Sequence, residues 1–238
     1  MIEFMFLGVN GSCQESGGGN TSILVRGSEG CVCIDLSCNL AEVVAAEPEA
    51  VILTHEHIDH VYGLPSFLHQ SWLRGRKKPL KIYVPEGMEN IPKGMISLFQ
   101  LSEKKGIFDI EVAAESNISV GTMNIFLFKT NHTDTSCGVA IADGGKTLVY
   151  SGDTRPSVNG IDTDVLIHEA SGTSENEETL IRKGHSSGAD AGKAAKDVGA
   201  KKLYLCHLPM EGKEAVLEDA KRHYPGAEIP QILKWYKV

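Results

Sequence analysis

The chain has 238 residues, of which 42 % are hydrophobic and 23 % are charged, and its formal net charge at pH 7 is −8. This length and composition suit a soluble globular protein with a real core. The acidic balance argues against a general nucleic-acid binder, because such proteins need a basic surface to release counterions. No apolar run approaches the roughly 18 residues of a membrane span, and the start lacks the basic segment of a signal peptide. We therefore expect no membrane partner and a cytoplasmic location.

Alternating strands and helices are predicted along the first half. Apolar, β-branched runs predict strands at residues 2–9, 23–25, 31–35, 51–54 and 81–84. Helices are predicted from Leu40 to Glu47, from Leu64 to about Arg74 with Pro65 in its first turn, and around residues 87–100. Small residues fill positions 11–22, but no helix follows them, which excludes a phosphate-binding P-loop.

The second half shows the same mixture. Strands are predicted at residues 107–114, 118–130, 137–142, 146–151, 165–168, 202–206 and 229–236. Helices are predicted at residues 188–199, with Ser187 as the N-cap, and at residues 212–224. Strands and helices that mix throughout predict a layered α/β fold in one domain, residues 1–238.

Six cysteines are present, and none of them forms a C-x-x-C pair. Without a signal segment, disulfides are not expected. Cys31, Cys33 and Cys206 lie in apolar strands, where cysteine behaves as a small buried hydrophobic residue.

The densest group of potential metal ligands follows the predicted strand at residues 51–54. It reads His55-Glu56-His57-Ile58-Asp59-His60, and imidazole and carboxylate are ligands of zinc, iron and manganese. The spacing excludes the H-E-x-x-H motif of zincins. Residues i and i+2 of an extended segment lie on the same side. This predicts one ion at His55 and His57, and a second at Asp59 and His60 beyond a bend.

Three further candidate ligands each follow an apolar strand. They are His132, Asp153 and His207. A single histidine at a strand end is more often structural, but α/β folds gather site residues at strand ends. Four such positions in one chain therefore predict a shared metal centre.

These motifs together resemble those of the metallo-β-lactamase superfamily, whose pattern is H-x-H-x-D-H, a later His, a later Asp and a final His. The resemblance spans nearly the whole chain and implies a four-layer αββα sandwich with a two-metal site at one edge of the sheets. The resemblance implies that His55, His57 and His132 hold the first ion. It implies that Asp59, His60 and His207 hold the second, and that Asp153 is a ligand of both. Two divalent ions per chain are implied. Zinc is expected, with manganese or iron as alternatives.

Three segments resemble the ribonuclease Z group of that superfamily. They are Ser136-Cys137-Gly138 after His132, His168-Glu169-Ala170-Ser171, and Lys183-Gly184-His185-Ser186-Ser187. The segment at residues 168–171 is similar to the group's H-E-A-T segment, and the segment at residues 183–187 is similar to its H-S-T loop. The resemblance implies that His185 is a proton donor or stabilises the transition state. His185 also precedes a predicted helix start, where anions are favoured.

Two departures from the ribonuclease Z pattern concern the substrate. The basic P-x-K-x-R-N loop of that group is replaced by Glu15-Ser16-Gly17-Gly18-Gly19-Asn20. The inserted arm that grips the transfer RNA elbow is missing, since only about ten residues separate Asp153 from the next predicted strand. Together with the net charge of −8, these departures disfavour RNA as a substrate.

The expected reaction is hydrolysis of a phosphodiester or another small anionic phosphoester. Two ions roughly 3.5–4 Å apart can share a bridging hydroxide as the nucleophile. His185 would then donate a proton to the leaving oxygen. Asp59 is a second candidate catalytic residue, which could orient the nucleophile. A homodimer is compatible with the sequence.

Other functions of the superfamily stay open as alternatives. One is tRNA 3′-processing of the ribonuclease Z type. Another is lactone or thioester hydrolysis as in glyoxalase II, although those enzymes show G-H-T-P-G where this chain has Asn131-His132-Thr133-Asp134. A di-iron redox protein is the least expected, because it would resemble H-x-E-x-D-H, with glutamate at the position of His57, and would carry a flavin domain. The complete ligand set disfavours a binding protein without activity.

Overall fold

A computed structural model describes residues 1–15, 17–157 and 160–238. Ser16, which belongs to the predicted small-residue loop, lies outside the described residues. In the first half, the elements are β1 (Glu3–Gly8), β2 (Ser22–Arg26), β3 (Cys31–Ile34), α1 (Leu40–Ala46), β4 (Ala50–Ile52), α2 (Ile58–Val61), α3 (Leu64–Leu73), β5 (Leu80–Tyr83), α4 (Asn90–Leu98) and β6 (Ile110–Ala113).

The second half continues the alternation. Its elements are β7 (Asn117–Val120), β8 (Met123–Lys129), β9 (Cys137–Asp143), β10 (Lys146–Tyr150), β11 (Val165–Glu169), a 3₁₀ turn (Ser174–Asn176), α5 (Glu177–Lys183), α6 (Gly188–Asp197), β12 (Lys202–Cys206), α7 (Lys213–Lys221), β13 (Ala227–Glu228) and β14 (Trp235–Lys237). Within the described ranges, no helix is long and apolar enough to cross a membrane.

Two seven-stranded sheets form the centre of the fold. Their strand orders are β14-β1-β2-β3-β4-β5-β6 and β13-β12-β11-β10-β9-β8-β7. A core of side chains from both sheets packs between them, and α6 adds Ala191 and Ala195 to it from the outer side of the second sheet. A separate cluster joins the first sheet to α1 and α3 through Val43, Leu64 and Phe67. This arrangement confirms the predicted αββα sandwich.

The parallel pairing of strands explains why the candidate metal-binding side chains lie at one edge of the sheets. Strands β3 to β6 pair in parallel, as do β10 to β13. The carboxyl ends of parallel strands meet at the same edge of a sheet. The segments that follow β4, β10 and β12 therefore lie close together and carry most of the predicted ligands. His132 follows β8, which runs in the same direction as β10 because both pair antiparallel with β9.

The prediction of one final strand at residues 229–236 is wrong. Strand β13 ends at Glu228 and pairs with β12 in the second sheet, whereas β14 begins at Trp235 and pairs with β1 in the first sheet. Between them the chain crosses from one sheet to the other through Pro230, which cannot donate a ladder hydrogen bond, and Leu233, whose φ is +60°. The apolar residues of this segment bridge two sheets and do not extend one strand.

Most other predicted elements are confirmed within a few residues, including the N-cap of α6. There the Ser187 hydroxyl accepts from the Asp190 backbone and the Asp190 carboxylate accepts from the Ser187 backbone, which forms a capping box. Helices α2 and α5 were not predicted. Helix α2 is a single turn, and α5 buries only Leu180, so neither shows a hydrophobic period. All six cysteines are free thiols.

Candidate metal centre

Eight side chains that the sequence motifs singled out converge where the two sheets meet. Their nitrogen and oxygen atoms form three groups, and within each group the atoms lie within 4.8 Å of one another. The groups are His55, His57, His132 and Asp153; Asp59, His60 and His207; and Asp153, His185 and His207. The first two groups follow the predicted division between two ions, and the role of each residue as a ligand stays a prediction.

The carboxylate of Asp153 lies at the middle of the site. Its Oδ2 atom is 3.1 Å from Nε2 of His207, 3.6 Å from that of His60, 3.7 Å from that of His55 and 3.8 Å from that of His132. Among the described residues, neither carboxylate oxygen of Asp153 has a hydrogen-bond partner. The same holds for Nε2 of His55, His60 and His207, and all of these atoms are buried.

Such unpartnered atoms are costly in a protein interior. A buried polar atom without a partner costs about 1–3 kcal/mol, and more if it is charged. Imidazole nitrogens and a carboxylate that converge on one space, with no protein donor between them, fit the demands of divalent cations. The donor set of this chain therefore fits the two ions that the metallo-β-lactamase fold implies.

Three of the imidazoles are held by the protein at the nitrogen that faces away from Asp153. Nδ1 of His60 lies 2.7 Å from the Asp35 carboxylate, and Nδ1 of His132 lies 2.8 Å from the Gly184 carbonyl. Nδ1 of His207 lies 2.9 Å from the Ser171 hydroxyl. These contacts fix the rings so that Nε2 points towards Asp153, which is the usual arrangement around metal-binding histidines.

Asp35 was missed by the sequence reasoning. It is buried at the end of β3, where its φ is +54°. Its carboxylate accepts from the backbone and hydroxyl of Thr54, immediately before His55, as well as facing His60. An acidic residue at the end of an apolar strand was the available signal, since the same pattern identified Asp153.

The charges in the site set the protonation of its members. Burial opposes the ionised form of Asp153, but His207 and His60 hold the pKa of its carboxyl well below the usual range. Burial, reinforced by the neighbouring His60, lowers the pKa of His55 well below that of free histidine. An ionised carboxylate and a neutral imidazole are the forms that bind metal ions.

His185 lies beside the centre and is 17 % exposed. Its Nδ1 atom is 3.2 Å from both carboxylate oxygens of Glu169 and 3.9 Å from Oδ2 of Asp153. Its ring stacks on that of His207 at 5.0 Å. Burial disfavours the charged imidazole, but the hydrogen bond with Glu169 and the negative charges of Glu169, Asp153 and Asp59 together outweigh it and raise the pKa of His185. The ring is thus oriented from one side and open to solvent on the other.

Two glycines border the centre closely. A Cβ atom at Gly11 would lie 3.0 Å from the ring of His207, and one at Gly184 would lie 2.5 Å from Nδ1 of His132. Gly184 also has a φ of +89°, which few other residues adopt. Next to Gly11, the Ser12 hydroxyl donates to Oδ2 of Asp59 at 3.1 Å. The small residues Gly11 and Ser12 therefore allow the backbone of this loop to lie close to the metal centre.

Glu56, inside the histidine motif, faces away from the ligand atoms. Its carboxylate accepts from the hydroxyls of Thr133 and Thr135. These hydrogen bonds join the segment that carries His55 and His57 to the loop that follows His132. Its contribution is to hold together two segments of the first ligand group.

Comparison with known proteins agrees with this geometry. A family model described as the beta-lactamase superfamily domain matches residues 38–208. The ribonuclease Z of Methanothermobacter thermautotrophicus is 23 % identical over 302 aligned positions, which cover 100 % of this chain and 97 % of that protein. Because this chain has 238 residues, more than sixty of those positions have no counterpart in it.

Solved structures share the fold. The metallo-beta-lactamase fold protein YhfI from Bacillus subtilis superimposes with a TM-score of 0.83 and 23 % identity, covering 100 % of both chains. The short form of human tRNase Z superimposes with a TM-score of 0.79 and 20 % identity, covering 99 % of this chain and 98 % of that one.

Proposed function

This chain belongs to the beta-lactamase superfamily domain family and is a metal-dependent hydrolase with the metallo-β-lactamase fold, and from its site we propose that it hydrolyses a small phosphodiester with the help of two divalent ions. The observation that carries the proposal is the set of buried, unpartnered nitrogen and oxygen atoms around Asp153. The relatives support the choice of a phosphate ester, since the one compared above is named ribonuclease Z.

In this proposal, the two groups of ligand atoms hold one ion each. His55, His57 and His132 would hold the first, Asp59, His60 and His207 would hold the second, and Asp153 would serve both. Zinc is the first choice, because these histidine-rich groups suit it, while manganese and iron accept the same ligands. When bound, the ions supply a nucleophile from water at neutral pH and positive charge against the phosphoryl oxygens.

The residues of the chain supply the remaining steps. His185 holds a proton that it donates to the leaving oxygen, since Glu169 orients the ring and favours its charged form. Asp59 accepts a hydrogen bond from Ser12 and lies 3.4 Å from His207. Burial opposes its ionised form, but His207 and His60 lower the pKa of its carboxyl, so it stays ionised. Asp35, Ser171 and the Gly184 carbonyl hold the imidazoles in place.

A small substrate fits this chain better than a transfer RNA. More than sixty aligned positions of the ribonuclease Z relative have no counterpart here. The net charge is −8, and a long phosphate backbone needs many basic contacts for its binding. A small phosphodiester needs positive charge only at one phosphate, which the two ions would provide.

A panel of substrates tests the proposal. Protein loaded with zinc or manganese should hydrolyse bis(p-nitrophenyl) phosphate, and chelation should abolish the activity. A lactone, a thioester and a precursor transfer RNA are assayed beside it. Turnover of the lactone or thioester without turnover of the phosphodiester would refute the proposal. Efficient cleavage of the precursor transfer RNA at its 3′ end would favour ribonuclease Z-type processing instead.

The Asp35→Asn variant tests whether the contact between Asp35 and His60 supports metal binding. An amide keeps the shape of the side chain but removes the charge that faces His60 at 2.7 Å. Loss of an outer partner of this kind typically weakens metal binding by about 10–100-fold, and we expect that loss in a competition titration with a chromogenic chelator. The control is Asp109→Asn, which alters an exposed carboxylate. Equal affinities in both variants would contradict the role of Asp35.

A further inference from the structure

An open apolar groove lies between α2, α3 and α4. It has a volume of about 600 Å³ and is lined mainly by Ile58, Tyr62, Pro65, Met95, Phe99 and Leu101. Ile58 is 74 % exposed and Phe99 is 54 % exposed. Single exposed hydrophobic residues are common on protein surfaces, but a concave cluster of them marks a binding site.

Helix α2 contributes residues to both the groove and the metal centre. This one-turn helix turns Asp59 and His60 into the site and Ile58 into the groove. Tyr62 follows directly and lines the groove, while its hydroxyl donates to the Asn20 side chain at 3.2 Å. Asn20 belongs to the small-residue loop that borders the site through Ser12. The groove and the metal centre therefore share two supporting segments, α2 and the small-residue loop.

The lining suits part of an anionic molecule. None of its nine described residues is acidic, although the chain as a whole has a net charge of −8. The groups that can be positively charged are His69 and Lys104. Tyr62 and Phe99 offer exposed rings, which favour flat aromatic partners through stacking and edge contacts. The volume falls in the range of small-molecule sites.

We propose that this groove binds an aromatic ester group of the substrate, the one that stays on phosphorus during the reaction. The proposal rests on the phosphodiesterase function proposed above. His185 faces Glu169 and Asp153 and stacks on His207, all from the second half of the chain, whereas the groove is built from the first half. The proposal places the leaving oxygen next to His185 and the retained group over α2.

The aromatic ester group keeps its bond to phosphorus throughout the reaction. One water is consumed: its oxygen forms a new bond to phosphorus, and the bond from phosphorus to the leaving oxygen breaks. The leaving oxygen takes a proton from His185, which recovers one from the solvent as the water loses its own. The products are an alcohol or phenol and a phosphomonoester that still carries the aromatic group. This group is the part of the substrate that the groove would select.

Two diesters with the same leaving group test the proposal. We compare kcat/KM of the loaded protein for p-nitrophenyl benzyl phosphate and p-nitrophenyl methyl phosphate. The methylene of the benzyl group insulates phosphorus from the ring, so the intrinsic reactivities of the two are similar. Burying an aromatic ring contributes about 1.5–3 kcal/mol, and we expect the benzyl ester to be favoured by about tenfold or more. Phe99→Ala should reduce this ratio to about threefold or less.

The matched control is Leu98→Ala. Leu98 is the last residue of α4, next to Phe99, and is 76 % exposed, but it does not line the groove. This variant should keep the wild-type ratio. A ratio of the two kcat/KM values near one in the wild type would refute the proposed role of the groove. An equal fall of this ratio in both variants would refute it as well. Neither result would contradict the phosphodiesterase function.

Two further outcomes would also refute the proposal that the groove binds the aromatic group. Absence of turnover for both esters would refute the proposed function and, with it, the proposed role of the groove. Sedimentation velocity supplies the other outcome: a dimer that Phe99→Ala converts to a monomer would mean that a second copy of the chain covers the groove. A chain that sediments as a monomer and prefers the benzyl ester supports the proposal.

Discussion

The His185→Ala variant is expected to retain two metal ions per chain and to lose about 10²–10⁴ in kcat on bis(p-nitrophenyl) phosphate. In the proposed reaction His185 serves the leaving oxygen, and Asp153 and the other side chains of the first two ligand groups remain in place. The Nδ1 atom of His185 contacts Glu169 at 3.2 Å and lies farther from Asp153, at 3.9 Å. Elemental analysis gives the ion content, and steady-state kinetics give the rate.

A second histidine variant separates this role from general effects. His223 is exposed near the end of α7, so His223→Ala should leave both ion content and rate unchanged. Full activity in His185→Ala would refute its assignment as proton donor. Loss of an ion from that variant would show that His185 is a ligand and that the third group of atoms around Asp153 and His207 binds metal.

The nature of the leaving group sharpens this test. A proton donor matters less for p-nitrophenolate, which leaves readily as an anion, than for an alkoxide, which must be protonated. The loss of rate in His185→Ala should therefore be greater for a dialkyl phosphate than for bis(p-nitrophenyl) phosphate. A uniform loss for both substrates would indicate that the ring stabilises charge on the phosphoryl group instead.

The candidate ligands were predictable one by one because each follows an apolar strand in the local sequence, whereas their division into two groups was implied by the resemblance to the metallo-β-lactamase superfamily. His55 and His57 are two positions apart after a buried strand, and His132, Asp153 and His207 each follow a strand of their own. A strand end at the edge of a sheet is a property that a short window of sequence reveals. The meeting of these ends at one place follows from the parallel pairing of each half.

The contacts behind the ligands were not predictable in the same way. Asp35 faces His60 across 25 positions, and Ser171 faces His207 across 36. Neither pairing has a local signal, because it depends on which strands become neighbours. The split of residues 229–236 between two sheets has the same origin. An apolar run shows that a segment is buried but does not show which sheet buries it.

The groove illustrates a further limit. Helix α4 contains several apolar residues, and its amphipathic pattern would normally predict a face that packs on the core. In the structure Pro92 is its only buried residue, and Leu98 and the adjoining Phe99 are exposed. Periodicity reveals an apolar face but not whether the protein covers it. Phe99 and Met95 line the groove that we propose to select the substrate.

The Asp153→Asn variant is expected to have the largest effect on the metal centre. The two ions would bring four positive charges, and among the proposed ligands only Asp59 and Asp153 are acidic. The amide keeps the shape of the side chain but removes one of these two charges at the point that four imidazole nitrogens approach within 3.8 Å. Ligand loss should weaken ion binding by more than the 10–100-fold typical of an outer partner.

Thermal unfolding measures this effect independently of activity. Each ion at about a hundred times its dissociation constant stabilises the folded state by about 2.7 kcal/mol, which raises Tm by about 5–10 °C per ion for a chain of this size. The wild type and Asp197→Asn, which alters an exposed carboxylate at the end of α6, should show this rise when ions are added after chelation. Asp153→Asn should not. A full rise in that variant would mean that Asp153 is only a structural carboxylate, and the two ligand groups would then bind ions separately.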